Sequence, residues 1–242
     1  MEFLTKAKIK WVKSLHHKKT RDTEKCFVVE GEKMVMEGLN YFGDYLLNLY
    51  ALNVHFEEVP VEFHRQTVMV NQRELEQLSE LKTPNKFVAV FRKPKPIELS
   101  DNFTLVLDGV QDPGNMGTIL RLADWYNIKN IVCSPDTVDV YNSKVVQASM
   151  GAIFRIDVQY TNLISFLENT KQPIYGALLN GENYRSIEYA KNGLLVMGNE
   201  GAGIRPEVQA LIKTKITIPK YGQAESLNVA TATAILLAEI VQ

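Results

Sequence analysis

Along this chain, short apolar runs end abruptly in polar or glycine-rich stretches, and apolar positions at helical spacing follow most of them. That pattern predicts strand, loop and helix in alternation. In the first third, Cys26 to Val29, Tyr45 to Leu52, Thr67 to Val70 and Phe87 to Phe91 read as strands. Helical stretches lie between them at Glu32 to Tyr41 and Asn71 to Glu80. Together they predict a compact α/β domain. Arg92-Lys93-Pro94-Lys95-Pro96 then breaks the periodicity, and its prolines remove amide donors and favour a stiff, extended linker. The expected division is a domain over 1–93, a linker over 94–102 and a second domain over 103–242.

The second domain repeats the alternation. Strand-like runs recur at Thr104 to Leu107, Asn130 to Cys133, Phe154 to Val158, Ile174 to Leu178, Leu194 to Met197 and Lys215 to Ile218. Helical patterns separate most of them, so the expected fold is α/β, a mostly parallel sheet covered on both faces. The last helix, Val229 to Ile240, is apolar on most sides and suits either a core or an interface.

Three loops at strand ends carry the candidate chemistry, because ligands in such sheets bind at the carboxyl ends of the strands. In the first, Asp108 ends a strand, Asp112-Pro113-Gly114 turns, and Asn115 falls where a helix N-cap is expected, with Arg121 one turn beyond Gly117. The second, Gly198-Asn199-Glu200-Gly201-Ala202-Gly203, is rich in glycine. Its spacing is neither the dinucleotide fingerprint nor a P-loop. The third ends in Ser226-Leu227-Asn228, where Ser226 would make a good N-cap for the last helix.

Composition narrows the chemistry. The chain has 242 residues, 45% of them hydrophobic, and a formal net charge of −1, which argues against a surface that is basic throughout. Residues 6–25 nevertheless hold eight lysines and arginines against two acids, Asp22 and Glu24. Lys6, Lys10 and Lys13 share one helical face, Ile9, Val12 and Leu15 lie on another, and Lys18, Lys19 and Arg21 follow. These residues fit either a solvated helix face or an arm that contacts RNA phosphates. All four histidines precede residue 65, so a Ser-His-Asp centre on Ser226 is disfavoured. Cys26 and Cys133 lack metal-ligand spacing and sit in apolar runs, as buried reduced thiols of a cytoplasmic protein would. We expect no metal, no membrane span and no secretory signal.

Taken together, Asp112-Pro113-Gly114-Asn115-Met116-Gly117 with Arg121, then Asn199-Glu200-Gly201, then Ser226-Leu227-Asn228-Val229 resemble the motifs of the SpoU (TrmH-like) class of SPOUT methyltransferases. The resemblance implies transfer of a methyl group from S-adenosyl-L-methionine to a ribose 2′-hydroxyl of rRNA or tRNA, with rRNA placed first. It also implies a C-terminal trefoil knot, which periodicity does not show, and a homodimer whose sites draw on both subunits. Phe27-Val28-Val29-Glu30-Gly31 resembles the small α/β RNA-binding domain that often precedes this catalytic domain. Carried over by motif position, cofactor contacts fall at Gly198, Ile218 and Leu227, with Leu178 and Asn199 nearby. The matching catalytic residues are Asn115, Arg121, Glu200, Ser226 and Asn228.

A guanidinium is a poor base, so Arg121 is expected to clamp RNA phosphate, with a helix-surface pair to Asp124 as its alternative role. Glu200 would organise the site, and Ser226 and Asn228 would hold the ribose or its proton path. Lys220 departs from the family's usual methionine after Ile218-Pro219. A catalytically silent RNA-binding relative and an unrelated nucleotide-binding enzyme stay open as alternatives.

Overall fold

The computed structural model describes residues 4–95 and 102–241, so most of the expected linker, residues 96–101, lies outside the described residues. The chain divides into two compact units, one of residues up to 95 together with 141–154 and the other of the remainder.

In the first unit, helices α1 (Lys6–Ser14) and α2 (Lys18–Glu24) lead into β1 (Cys26–Glu30), α3 (Glu32–Phe42), β2 (Leu46–Leu52), β3 (Thr67–Val70), α4 (Gln72–Leu78) and β4 (Phe87–Arg92). The sheet order is β1-β4-β2-β3, antiparallel except for the β2–β3 pair. Helix α1 is amphipathic as expected: Val12 and Leu15 are buried against Val28, Tyr50 and Leu75, while Lys6, Lys10 and Lys13 are exposed. Thr5 caps its first turn by accepting from the Lys8 amide at 3.2 Å. Lys18 and Lys19 are exposed as well.

Arg21 differs from the other basic residues. It is buried, and its Nη1 donates to the carbonyls of Leu15 at 2.9 Å and His16 at 2.7 Å. Those carbonyls end α1 and would otherwise lack partners, so Arg21 holds the α1–α2 corner and is not available to phosphate. This corrects its placement among the RNA contacts.

The second unit begins with β5 (Thr104–Asp108), α5 (Pro113–Trp125) and β6 (Asn130–Cys133). Helix α6 (Ser143–Ala148) falls in the segment that belongs to the first unit. Then come β7 (Asp157–Tyr160), α7 (Leu163–Asn169), β8 (Ile174–Asn183), β9 (Leu194–Gly198), α8 (Pro206–Gln209), β10 (Thr214–Thr217) and α9 (Val229–Ile240). The six strands pair in parallel in the order β10-β8-β9-β5-β6-β7. Every residue of β5 is buried, as expected for a parallel strand covered on both faces. Val106, Val132, Leu194 and Val196 form the core under α7 and α8, and burial of each such side chain contributes about 1.5–3 kcal/mol.

The strand expected over Phe154 to Val158 starts later, at Asp157. Ala152–Phe154 forms a 3-10 turn instead, and Phe154 is buried beside Phe42 and Phe91, with ring centroids 5.6 and 5.8 Å away. Its apolar character serves the first unit's core rather than the parallel sheet. Among the described residues no helix is long and apolar enough to cross a membrane, and no group of three His, Cys, Asp or Glu could hold a metal ion. Both cysteines are buried, and that burial pushes their thiols upward.

Candidate active site

The three motif loops meet at the carboxyl ends of β5, β9 and β10. Helix α5 starts earlier than expected: Asp112 is its N-cap, accepting from the Asn115 amide at 2.8 Å, and Pro113 stands at the first helical position, where no amide is needed. Asn115 is therefore not the cap, and its side chain is free to act elsewhere. Its Nδ2 donates to Glu200 Oε1 at 2.9 Å, and its Oδ1 accepts from Asn228 Nδ2 at 2.8 Å.

Asn228, not Ser226, caps α9, with its Oδ1 accepting from the amides of Ala230 at 2.9 Å and Thr231 at 3.2 Å. The donor order is fixed from both ends. A carboxylate can only accept, so Asn115 must turn its amide nitrogen toward Glu200 and its oxygen toward Asn228. At the other end, amides at the start of α9 require the oxygen of Asn228. One residue from each motif thus enters a single hydrogen-bonded chain.

Glu200 also accepts from the amides of Gln111 at 3.2 Å and Asp112 at 3.1 Å. Partial burial alone would raise its pKa, but hydrogen bonds from Asn115 and from backbone amides outweigh it and hold the carboxyl below its usual range. A carboxylate so held is a weak base and a good organiser. Because the folded pKa is depressed, the stability it contributes is present above the unfolded value near 4.5 and is lost as pH falls through the lower folded value. Glu200→Gln is accordingly expected to melt below wild type at neutral pH, with the gap closing in acid. Thermal melts from about pH 7 to about pH 3 check this, and a gap independent of pH would refute it.

The second loop is closed on itself. Asn199 and Gly203 exchange backbone bonds of 2.9 and 3.0 Å, and Asn199 Oδ1 accepts from the amides of Gly201 and Ala202, both at 2.9 Å. Asn199 Nδ2 reaches back to the Gly109 carbonyl at 2.7 Å. The loop's far end is pinned by a contact that the sequence reading missed. Asp108, whose side chain is fully buried, accepts from the Arg205 amide at 2.8 Å and from Arg205 Nε at 2.7 Å.

A cavity of about 620 Å³ opens beside this loop, within the range of small-molecule sites. Leu178, Gly198, Asn199, Ile218 and Leu227, the whole expected cofactor set, line it together with Glu200 and Ser226. Ser226 is exposed and has no hydrogen-bond partner among the described residues, which leaves its hydroxyl open at the cavity. Apolar side chains beside peptide groups suit a purine and a sulfonium, so the residues present fit S-adenosyl-L-methionine. Arg121 is not in this group. It is exposed on α5 without an ion pair among the described residues, and its expected alternative partner is taken: Arg155 holds Asp124 through Nε at 3.0 and 3.1 Å and Nη2 at 2.9 Å.

The model of the SpoU rRNA Methylase family matches residues 102–238, more than half of the chain. The chain belongs to that family. The MRM3-like substrate binding domain matches residues 6–89. The 23S rRNA (guanosine(2553)-2′-O)-methyltransferase RlmP of Bacillus subtilis is 35% identical over 236 residues, covering 95% of this chain and 94% of that protein. A TrmH-family protein from Porphyromonas gingivalis has a similar structure, with TM-score 0.90 and 38% identity over 98% of each chain. The AdoMet-bound rRNA methyltransferase of Sinorhizobium meliloti has TM-score 0.87 and 30% identity over 99% of this chain and 96% of that one. The α/β fold with its parallel sheet is therefore the SpoU fold. Within the matched region, Asn115, Glu200 and Asn228 are joined by hydrogen bonds.

Proposed function

We propose that this SpoU-family protein transfers a methyl group from S-adenosyl-L-methionine to a ribose 2′-hydroxyl of large-subunit rRNA. The observation that carries the proposal is the chain Asn228–Asn115–Glu200, which joins all three motifs beside a cavity lined by the five expected cofactor residues. The bound cofactor would supply an electrophilic methyl on a sulfonium. Leu178, Gly198, Asn199, Ile218 and Leu227 would hold it and exclude water. Ser226 would meet the ribose with its open hydroxyl. Asn228 and Asn115 would keep the first and third loops in register, and Glu200 would fix the turn before α5. This acts through alignment of reacting groups more than through a strong base. RlmP, similar over nearly the full length of both chains, is named for a guanosine of 23S rRNA, and a guanosine is accordingly the first target to test.

The proposal includes a first domain, residues 1–93, that grips RNA through Lys6, Lys10, Lys13, Lys18 and Lys19. It also includes a 94–102 linker, a catalytic domain over 103–242 with a C-terminal knot, a cytoplasmic location and a homodimer. The exposed, unpaired Arg121 outside the hydrogen-bonded group supports donation across a two-fold axis, where it would clamp phosphate. Arg121→Ala is expected to lower kcat/KM on RNA at least about 100-fold while cofactor affinity stays within about twofold, since a lost phosphate contact to a desolvated charge is worth about 3 kcal/mol. Methyl-transfer kinetics together with titration calorimetry check this, and full activity would remove Arg121 from the mechanism. The same calorimetry tests the reading as a whole. Binding of S-adenosyl-L-methionine supports it, and binding of a nicotinamide dinucleotide in its place would overturn it.

A further inference from the structure

The segment between β10 and α9 holds two side chains to which nothing above gives a role. Lys220 and Tyr221 both line the cavity, yet both are exposed, and Tyr221 is 96% exposed, so its ring stands at the cavity's edge and faces solvent. Among the described residues no hydrogen bond or ring contact holds it. A Cβ added at the next residue, Gly222, would meet nothing within 4 Å, so this stretch is not packed down.

A lone exposed aromatic needs no explanation. Tyr221 is set apart by what surrounds it: a cation in the adjoining residue, the open hydroxyl of Ser226 five residues on, and one cavity shared by all three. A ribose that enters such a cavity brings its base with it, and that base gives up stacking on its neighbours. Proteins that take single-stranded RNA replace the lost stack with an aromatic face and meet the backbone with a cation. We infer that Tyr221 stacks on a base of the single-stranded RNA segment that carries the target ribose, and that Lys220 binds a phosphate of the same segment. The inference rests on the methyl-transfer reading and extends it to how the substrate is positioned. Tyr221 is a positioning residue under this assignment, with affinity that is tolerant of base identity because every base has a π-face.

The test uses the full-length protein with transcribed, unmodified large-subunit rRNA, and compares Tyr221→Ala, Tyr221→Phe and Lys220→Met. Tyr221→Ala is expected to raise KM for RNA about tenfold, with kcat and cofactor affinity within about twofold of wild type. Tyr221→Phe should restore the wild-type KM, because stacking needs the ring and not the hydroxyl. Lys220→Met should reduce the slope of log affinity against log salt by about one. A wild-type KM in Tyr221→Ala would overturn the inference and leave methyl transfer intact. So would a Tyr221→Phe as impaired as the alanine variant, or a loss of cofactor affinity in step with KM. Wild-type protein that transfers no methyl group would overturn the underlying reading and the inference with it.

Discussion

Gly198→Ala is expected to remove cofactor binding almost entirely. Gly198 ends β9, and a Cβ there would lie 2.2 Å from Gly203 C, 2.3 Å from Ile204 N and 2.6 Å from Gly203 O. All three are backbone atoms, so no side chain can swing aside. The turn of residues 199–203 would have to lift as a unit, and it is held by the reciprocal Asn199–Gly203 bonds and by Asn199 Oδ1. Lifting it carries Asn199 and Glu200 away from Gly109 and Asn115 and opens the wall of the cavity. Overpacking of this kind costs about 1–3 kcal/mol in stability. The loss in affinity should be larger, about 100-fold or more, because binding needs the undisplaced turn. Titration calorimetry with S-adenosyl-L-methionine reads it directly, and an affinity within about twofold of wild type would show that the turn is not the cofactor's wall.

Arg205→Ala should have the largest effect on stability. Asp108 sits at the end of a fully buried strand, and Arg205 supplies it with both a backbone and a guanidinium donor across 97 residues of sequence. Breaking a pair buried on both sides costs about 3–5 kcal/mol; here Asp108 is fully buried but the Arg205 side chain is 41% exposed, which puts the cost at the low end. Part of that is spared here, because the Arg205 amide remains, so the expected cost is about 3 kcal/mol. For a chain of this size that is a fall in Tm of about 6–12 °C. Arg205→Lys keeps the charge but not the planar fork, and should fall between. Differential scanning calorimetry measures all three proteins, and an unchanged Tm in Arg205→Ala would mean that Asp108 finds another partner.

Strands β5 and β9 were legible because a parallel strand buried on both faces must be apolar nearly throughout, and Leu105, Val106, Leu194 and Val196 satisfy that without help from context. The motif residues were legible as a set only through their resemblance to SpoU motifs, because each loop alone reads as a turn and a helix cap. Which of them caps which helix was not. Asn115 and Ser226 are good caps in isolation, but Asp112 before Pro113 and Asn228 occupy those positions instead. Pro113 could have signalled the earlier start, because proline favours the first helical position. The burial of Arg21 and the Asp108–Arg205 pair left no local trace. Charge gives no sign of which lysine or arginine turns inward, and a contact spanning 97 residues is set by sheet order rather than by spacing. Phe154 joins the first unit's core rather than the parallel sheet for a related reason: an apolar side chain does not say which unit it packs in.

Under the proposed function the three loops build one site for methyl transfer to a ribose oxygen. Alkaline digestion of large-subunit rRNA labelled by this protein with methyl-tritiated S-adenosyl-L-methionine tests it most directly, because hydrolysis at a given ribose requires a free 2′-hydroxyl. Methyl transfer to a 2′-hydroxyl puts the label in alkali-resistant dinucleotides. Label recovered in single nucleotides would place the methyl on a base and contradict it.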